Sequence, residues 1–191
     1  MLFRSGKFLA YTEIRRDTTR DVMILPVEGD ATRGWKAGTP IVFKATAVNE
    51  RDPAFSPDGR WIAYSSAEIG ATAEIYVSPF PGPGAVVRIS TGGGSNPRWS
   101  ATSRELLFWN NGKIMSVSYT ATESFVPGKA QLWAPQDGLA QPDFDIHPDG
   151  KRAAIGLVDP NAMKAAIFAR DKIVFWTGFS DYLRKNVVAK K

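Results

Sequence analysis

Cysteine is absent from this chain of 191 residues, and histidine occurs only once, as His147. The lack of cysteine excludes disulfide bridges, cysteine nucleophiles and cysteine-ligated zinc or iron–sulfur sites. A single histidine limits imidazole chemistry, whether as a base or as a metal ligand, to one position. The sequence also lacks the Gly-x-Ser-x-Gly motif that carries the nucleophile of many hydrolases. Few residues therefore remain for the common kinds of nucleophilic catalysis.

Long apolar runs and a concentrated basic stripe are also missing. Apolar segments such as 22–27 and 172–176 fall far short of the roughly 20 residues that span a bilayer, so we expect no membrane insertion. Arg4 and Lys7 interrupt the apolar start, so we expect no signal peptide within this chain. The net charge is +5, but the basic residues are scattered, whereas a nucleic-acid site needs them clustered on one face. We therefore expect no nucleic-acid partner.

The most informative feature that the chain does have is a repeated segment. Its clearest copy reads Pro53-Ala-Phe-Ser-Pro-Asp-Gly-Arg-Trp-Ile-Ala-Tyr64. A second copy, 44 residues later, reads Pro97-Arg-Trp-Ser-Ala-Thr-Ser-Arg-Glu-Leu-Leu-Phe108, and a third reads Phe144-Asp-Ile-His-Pro-Asp-Gly-Lys-Arg-Ala-Ala-Ile155. A unit with a period of about 40–50 residues indicates a solenoid, a propeller or a similar array.

Each repeat predicts four short strands, because β-branched and aromatic residues dominate its apolar runs. In the clearest copy the predicted strands are 53–56, 60–66, 74–80 and 85–90. Pro57, Asp58 and Gly59 predict a turn between the first two strands, since Pro presets φ and Gly tolerates a positive φ. The next copy predicts strands 98–100, 104–109, 113–119 and 130–134, with a type I′ turn at Asn110-Asn-Gly112. The last copy predicts strands 143–147, 152–157, 165–169 and 172–177.

The repeats predict a single all-β domain over residues 1–191, built from four blade-like units. Their approximate limits are 2–48, 52–91, 96–135 and 142–177, and the first unit lacks its first strand. A short C-terminal helix is predicted over 179–188, with Ser180 as a suitable N-cap. Its apolar residues Phe179, Leu183 and Val187 fall on one face.

The repeat resembles the TolB-like (WD40-like) repeats of bacterial β-propellers, and segments 55–64 and 74–77 carry this resemblance best. Segments 76–84, 88–100 and 173–184 are similar to a narrower group, the propeller that many bacterial serine/threonine kinases carry at their C-terminus. The resemblance implies blades of four antiparallel strands whose first strands line a central channel. It also implies that the aromatic residues Phe55 and Trp99 pack between blades. Exported members of the family imply a periplasmic or other extracytoplasmic location.

The predicted units amount to about three and three-quarter blades, whereas closed propellers have roughly four to eight. A blade without a neighbour leaves an apolar face in water, at a cost of about 25 cal/mol per Å². Two resolutions stay open. The chain is the C-terminal part of a longer propeller, or a homodimer completes the ring, since large apolar faces rarely stay exposed in a monomer.

Asp143, Asp145 and His147 form the sharpest candidate site. Residues i, i+2 and i+4 of a strand share one face, so these side chains are predicted to point together into the channel. There they could hold a divalent metal with open coordination positions, or His147 could act as a catalytic base. The alternative is structural, because Asp143 aligns with Asp52 and Asn96, and His147 takes the serine position before a turn. Asp52, Asn96, Asp143 and Asp145 are predicted ligand-binding residues, and no other cofactor is expected.

Two further features favour structural roles. The link Gly92-Gly-Gly-Ser-Asn96 lacks the Lys-Ser/Thr of a phosphate-binding loop, so we predict a flexible connector. The tryptophans are spread over repeat positions and are predicted to pack in the core or between blades; they are Trp35, Trp61, Trp99, Trp109, Trp133 and Trp176.

These features favour a non-catalytic binding or sensor module that recognises a protein, a peptide or a small ligand at the loops or the channel mouth. In the resembled kinases, the propeller would be a sensor or scaffold beside the catalytic domain, and no kinase motif occurs here. One alternative is a propeller hydrolase or lactonase-type enzyme that uses a metal or His147 at the channel. Another is the propeller portion of a prolyl oligopeptidase-like enzyme.

Overall fold

The computed structural model of this protein describes residues 7–14, 20–30, 32–135 and 143–155, all within the compact unit Met1–Leu157. Every regular element among these residues is a β-strand, and the strands pair in antiparallel sheets. The all-β prediction is therefore confirmed. The predicted strands 165–169 and 172–177 and the predicted helix 179–188 lie outside the described residues. Within those residues no helix has the length and apolar character needed to cross a membrane.

The first blade contains three strands that match the last three strands of the repeat, and one additional strand that forms a hairpin. β1 (Phe8–Glu13) pairs with β2 (Asp21–Asp30). β3 (Gly34–Ala37) folds back on the far end of β2, and β4 (Ile41–Lys44) pairs with the part of β2 nearer its start. The described part of this unit thus starts with the strand that the repeat places second.

The β2–β3 hairpin is not predicted by the sequence, and it changes the role of one tryptophan. Trp35 lies on β3 opposite Gly29 and is 56% exposed. Gly29 has a φ of 111°, and its missing side chain makes room for the backbone of Gly34. Trp35 therefore departs from its predicted packing role, because its strand extends beyond the blade.

The second and third blades are four-stranded sheets, as predicted. The second contains β5 (Asn49–Phe55), β6 (Trp61–Ala67), β7 (Glu74–Pro79) and β8 (Val87–Arg88) in sequential order. The third contains β9 (Ser95–Trp99), β10 (Glu105–Asn110), β11 (Lys113–Ala121) and β12 (Phe125–Pro135), also in sequential order. Asn111 and Gly112 join β10 to β11 with φ angles of 44° and 80°, positive at both positions as a type I′ turn requires.

The fourth sheet has two described strands, β13 (Phe144–Ile146) and β14 (Ala153–Ile155). They correspond to the first two strands of the predicted fourth blade. Between them lies the turn that contains His147 and Asp149.

Side chains alternate along each strand, so one blade packs against both of its neighbours. The cluster between the second and third blades consists of Trp61, Ala63, Ile75, Val77, Leu106, Phe108, Val117 and Phe125. On the other face of the second blade, Phe55 and Ile62 pack with Ala10 and Ile24 of the first blade. On the other face of the third blade, Leu107, Trp109 and Ile114 pack with Phe144 of the fourth.

The prediction that Phe55 and Trp99 pack between blades is confirmed. Phe55 belongs to the cluster between the first and second blades. Trp99 packs against the next cluster, and its Nε1 donates to the carbonyl of Ala54 in the second blade at 2.9 Å. These contacts hold the blades together, so that loops from neighbouring blades form common surfaces at each end.

Candidate functional site

The blades have two ends with different chemistry. At the turn end, β5, β9 and β13 lead into the turns 56–60, 100–104 and 147–151. At the opposite end, which we call the link end, these first strands begin. There the loop 68–73, the glycine link 91–94 and the turn at 111–112 come together.

At the turn end, serine hydroxyls organise the turns. Ser56 Oγ donates to Asp58 Oδ1 at 2.6 Å and accepts from Trp61 N at 3.0 Å. In the third blade, Ser100 Oγ accepts from the backbone N and the hydroxyl of Ser103, at 3.1 and 2.8 Å. This serine pair explains how the third turn forms without the proline and glycine of the other copies.

His147 takes the place of these serines at the turn end. Its Nδ1 lies 3.1 Å from Asp149 Oδ1 and 3.2 Å from Asp149 N. Arg152 Nη2 lies 3.2 and 3.1 Å from the two ring nitrogens of His147. The backbone N–H of Lys151 and the side chains of Arg152 and His147 hold the pKa of Asp149 well below its usual range. His147 therefore contacts Asp149 much as Ser56 contacts Asp58, and its role as a base stays a prediction.

Asp143 and Asp145 lie on or beside β13, and both are exposed. The nearest charged partner of Asp145 is Arg98, with 3.9 Å between Asp145 Oδ1 and Arg98 Nε. Residues 143–155 are described, and nowhere in the described ranges do three acidic or histidine side chains come close enough to hold a metal ion. The structure thus does not bring Asp143, Asp145 and His147 together as metal ligands, because each contacts a different neighbour or solvent.

Asp52 and Asn96 occupy matching positions in β5 and β9 and share an unusual backbone conformation. Their φ angles are 56° and 50°, in the left-handed region that Asp and Asn tolerate better than most residues. The pairing register shifts beside both residues, which marks a β-bulge. Asp52 Oδ2 also accepts from Ser65 Oγ at 2.9 Å. A polar residue here thus has a structural reason, and ligand binding by Asp52 and Asn96 stays a prediction.

A cleft of about 420 Å³ opens at the link end between the second and third blades. We call it the link cleft; its lining residues are Arg51, 71–73, 93–95 and 109–112. Gly94, Ser95 and Trp109 are buried and form its floor, whereas Thr72 and Asn111 form an exposed rim. The volume lies within the range of small-ligand sites.

The glycine link that forms one wall of the cleft is held by hydrogen bonds and is not the flexible connector that the sequence predicted. Glu74 Oε1 accepts from the backbone N of Gly92 and Gly93 at 2.9 and 3.1 Å. Gly94 N donates to the carbonyl of Ala73 at 2.7 Å. A Cβ on Gly94 would lie 2.6 Å from Ser90 Oγ, so glycine is needed here for close packing rather than for mobility.

Glu74 is the centre of this arrangement, and its side chain is only 12% exposed. It also accepts from the Ser90 hydroxyl and, at 2.8 Å, from Arg88 Nη2. Partial burial alone would raise the pKa of Glu74, but the hydrogen bonds from Ser90, Arg88 and Gly93 outweigh it, so the pKa is lowered. Glu74 therefore stays ionised and keeps the link in place at neutral pH.

Polar side chains reach the link cleft from both blades. Arg51 of the second blade has its Nε 3.7 Å from Asp52 Oδ2. In the third blade, Asn110 Nδ2 donates to the carbonyl of Gly93 at 2.9 Å, and Asn111 Nδ2 donates to that of Gly92 at 3.3 Å. The cleft thus combines one guanidinium and two amides, while the chain's single imidazole lies at the turn end.

Sequence reasoning missed the link cleft, although it identified two of its parts. The sequence predicts the asparagine-glycine turn as part of a hairpin and the glycine link as a connector between repeats. Their meeting depends on how the third blade packs on the second, which residues such as Trp99 and Ala54 decide through long-range contacts. Periodicity predicts strands but does not show which loops become neighbours.

Comparison with known proteins supports the fold. A solved structure described as TolB, from Agrobacterium tumefaciens, matches with a TM-score of 0.51 and 18% identity, over 83% of this chain and 57% of that chain. The likeness shows the β-propeller fold. A Streptomyces coelicolor protein named as a tricorn protease homolog is 32% identical over 117 residues, which are 58% of this chain and 10% of that protein. The chain thus spans about a tenth of this relative. No family model matches.

Proposed function

We propose that this chain is a non-catalytic recognition module of the β-propeller type, and that its link cleft binds a peptide or another small polar ligand. The observation that carries the proposal is the cleft itself, in which a buried floor lies below Arg51, Asn110 and Asn111. Guanidinium and amide groups select ligands by hydrogen bonding. The lining holds no histidine, which fits recognition better than general acid–base catalysis.

A peptide is the ligand class that these residues favour. A peptide backbone offers donors and acceptors in turn, and an asparagine side chain can pair with either. The walls are already held by Glu74 and by the blade interface, so binding need not order them. The similarity to a protein named as a tricorn protease homolog also supports the handling of peptides.

Binding of a fluorescent library of N-acetylated tetrapeptides to the full 191-residue chain tests the proposal. Thr72→Trp places a large side chain on the cleft rim and is expected to weaken binding at least tenfold. Thr122→Trp makes the same change on an exposed loop at the turn end and should leave binding unchanged. The peptide ligand is ruled out if wild-type protein binds no peptide, and the link cleft is ruled out as the peptide site if both variants bind peptides as well as wild type.

A second candidate function is that of a propeller region within a larger proteolytic enzyme, where the cleft would guide peptides towards a separate catalytic domain. The 32% identity to the tricorn protease homolog favours this candidate. The coding DNA on either side of this segment distinguishes the two. A peptidase domain in the same reading frame supports the second candidate, and a serine/threonine kinase domain supports a kinase-linked sensor.

We also propose that a second copy of the chain supplies the blades that complete the ring. The support is the small number of units, because a propeller closes with roughly four to eight blades. Light scattering of the purified chain measures the outcome directly. Twice the mass of one chain supports the homodimer, whereas the mass of a single chain contradicts it.

A further inference from the structure

We infer that Arg51 recognises a carboxylate in the link cleft, either the C-terminal carboxylate of a peptide or that of a small organic acid. The inference rests on the proposed binding function of the cleft. The guanidinium of Arg51 forms an ion pair with Asp52, but its Nη1 and Nη2 make no hydrogen bond within the ranges that the structure describes. A guanidinium that lines a cleft and still has donors to offer is a ready partner for an anion.

Arg51 is oriented by its neighbour in the chain. Its Nε lies 3.7 Å from Asp52 Oδ2, and Asp52 is itself held by the Ser65 hydroxyl and by the β-bulge. The Arg51 side chain is 31% exposed, so it is partly shielded from water but open to a ligand. With its Nε turned towards Asp52, the guanidinium is pre-organised, and its two Nη groups remain for a second anion.

The available donors favour a carboxylate over a phosphate. The backbone N–H groups of Gly92 and Gly93 already donate to Glu74, and that of Gly94 donates to Ala73. The glycine link is therefore not a phosphate cradle, since such loops direct their N–H groups at the ligand. One guanidinium fork supplies two parallel hydrogen bonds and one positive charge, which match a single carboxylate.

The third blade adds acceptors for the group next to that carboxylate. Asn110 and Asn111 each use Nδ2 to bind the link. Their Oδ1 atoms have no hydrogen-bond partner among the residues described, and they can accept an N–H from a ligand. The last peptide bond of a chain carries such an N–H next to its terminal carboxylate. A free peptide C-terminus thus fits both Arg51 and the two amides.

The test compares the N-acetylated tetrapeptide library as free acids with the same library as C-terminal amides, and uses acetate, lactate and benzoate as competitors. Wild-type protein is expected to bind the free acids about tenfold more tightly than the amides, a difference of about 1.4 kcal/mol. Arg51→Gln should remove that difference, and Arg51→Lys should retain part of it, because lysine keeps the charge but not the fork. Arg104→Gln, at an exposed arginine of the turn end, is the matched control and should bind as wild type does.

The outcomes separate this inference from the proposed function. Equal binding of acids and amides by wild-type protein, or full preference for acids in Arg51→Gln, overturns the inference but leaves the cleft as a peptide site. Binding of small acids through Arg51 without any peptide supports the inference and overturns the peptide ligand. Failure of every probe overturns both. Inorganic phosphate that competes more strongly than acetate overturns the preference for a carboxylate.

Discussion

The turn end and the link end of the same blades use their polar residues in opposite ways. At the turn end, Ser56 with Asp58 and His147 with Asp149 satisfy each other within a few residues of chain. At the link end, Glu74 binds a segment that lies 18 residues further along the chain, and Arg51 keeps donors without a partner among the described residues. Polar groups of the first kind close a turn, whereas Glu74 fixes the link between two blades and Arg51 lines the cleft beside it.

The difference has a physical origin. A tight turn needs local acceptors for its own N–H groups. Its histidine and carboxylates therefore form hydrogen bonds with the nearby backbone. A link between two blades brings together segments that are far apart in sequence, and some of their polar groups are left without a partner among the described residues. Candidate sites in such repeats are therefore better sought where blades are joined than where strands turn.

The largest expected effect comes from breaking the core that both ends share. Phe108 is 1% exposed in the cluster between the second and third blades. Phe108→Ala is expected to lower the free energy of unfolding by about 3–5 kcal/mol, as measured by urea denaturation, and to abolish binding at the link cleft. Val126→Ala, at a residue that is 55% exposed, should change the free energy of unfolding by less than about 0.5 kcal/mol. Normal stability in Phe108→Ala would show that the blade interface does not support the cleft.

A smaller effect is expected from crowding the link end alone. In Gly94→Ala the new Cβ would meet Ser90 Oγ at 2.6 Å and Ile75 Cγ1 at 2.7 Å. We expect a loss of about 1–3 kcal/mol in the free energy of unfolding, because both neighbours are buried and cannot move aside freely. Gly70→Ala is the control, since nothing lies within 4 Å of its added Cβ and only its φ of 80° opposes the change. A larger loss in Gly70→Ala than in Gly94→Ala would contradict close packing of the link.

The charge of Glu74 provides a test that depends on pH. Glu74→Gln is expected to lower the free energy of unfolding at pH 7 by about 1–2 kcal/mol, because a carboxylate accepting several hydrogen bonds is replaced by a neutral amide. The pKa of Glu74 is lowered in the folded protein. Its stabilisation is therefore present above the ordinary value of 4.5 and is lost as the pH falls through the lowered folded value.

Urea denaturation from pH 7 down to pH 3 measures the difference in the free energy of unfolding between wild type and Glu74→Gln. The gap between wild type and Glu74→Gln should shrink as the solution becomes more acidic. Glu68→Gln, at an exposed glutamate in the loop beside the cleft, is the matched control and should follow the wild-type curve. A constant gap at every pH would mean that the ionised carboxylate does not hold the glycine link.

Much of the fold could be predicted from the sequence, because repeated turns and alternating residues specify strands locally. The pattern around Pro57 and Gly59 predicts β5 and β6, and the asparagine-glycine pair predicts the β10–β11 turn. The β2–β3 hairpin was missed because β3 is short and exposed, with no apolar alternation towards a core. The link cleft was missed because its walls come from different blades, and a glycine-rich segment looks mobile until its partner Glu74 is known.

The smallest expected effect comes from His147→Ser, which separates the two roles of this residue. The substitution gives this turn the same hydrogen bond as the turn of the second blade, because the serine hydroxyl can bind Asp149 as Ser56 binds Asp58. It also removes the imidazole. We expect the free energy of unfolding to change by less than about 0.5 kcal/mol and peptide binding to stay the same. Hydrolysis of chromogenic esters and lactones, with and without added zinc, measures the competing role. A hydrolytic activity in wild type that this variant loses while remaining folded would make His147 catalytic and reverse the contrast between the two ends.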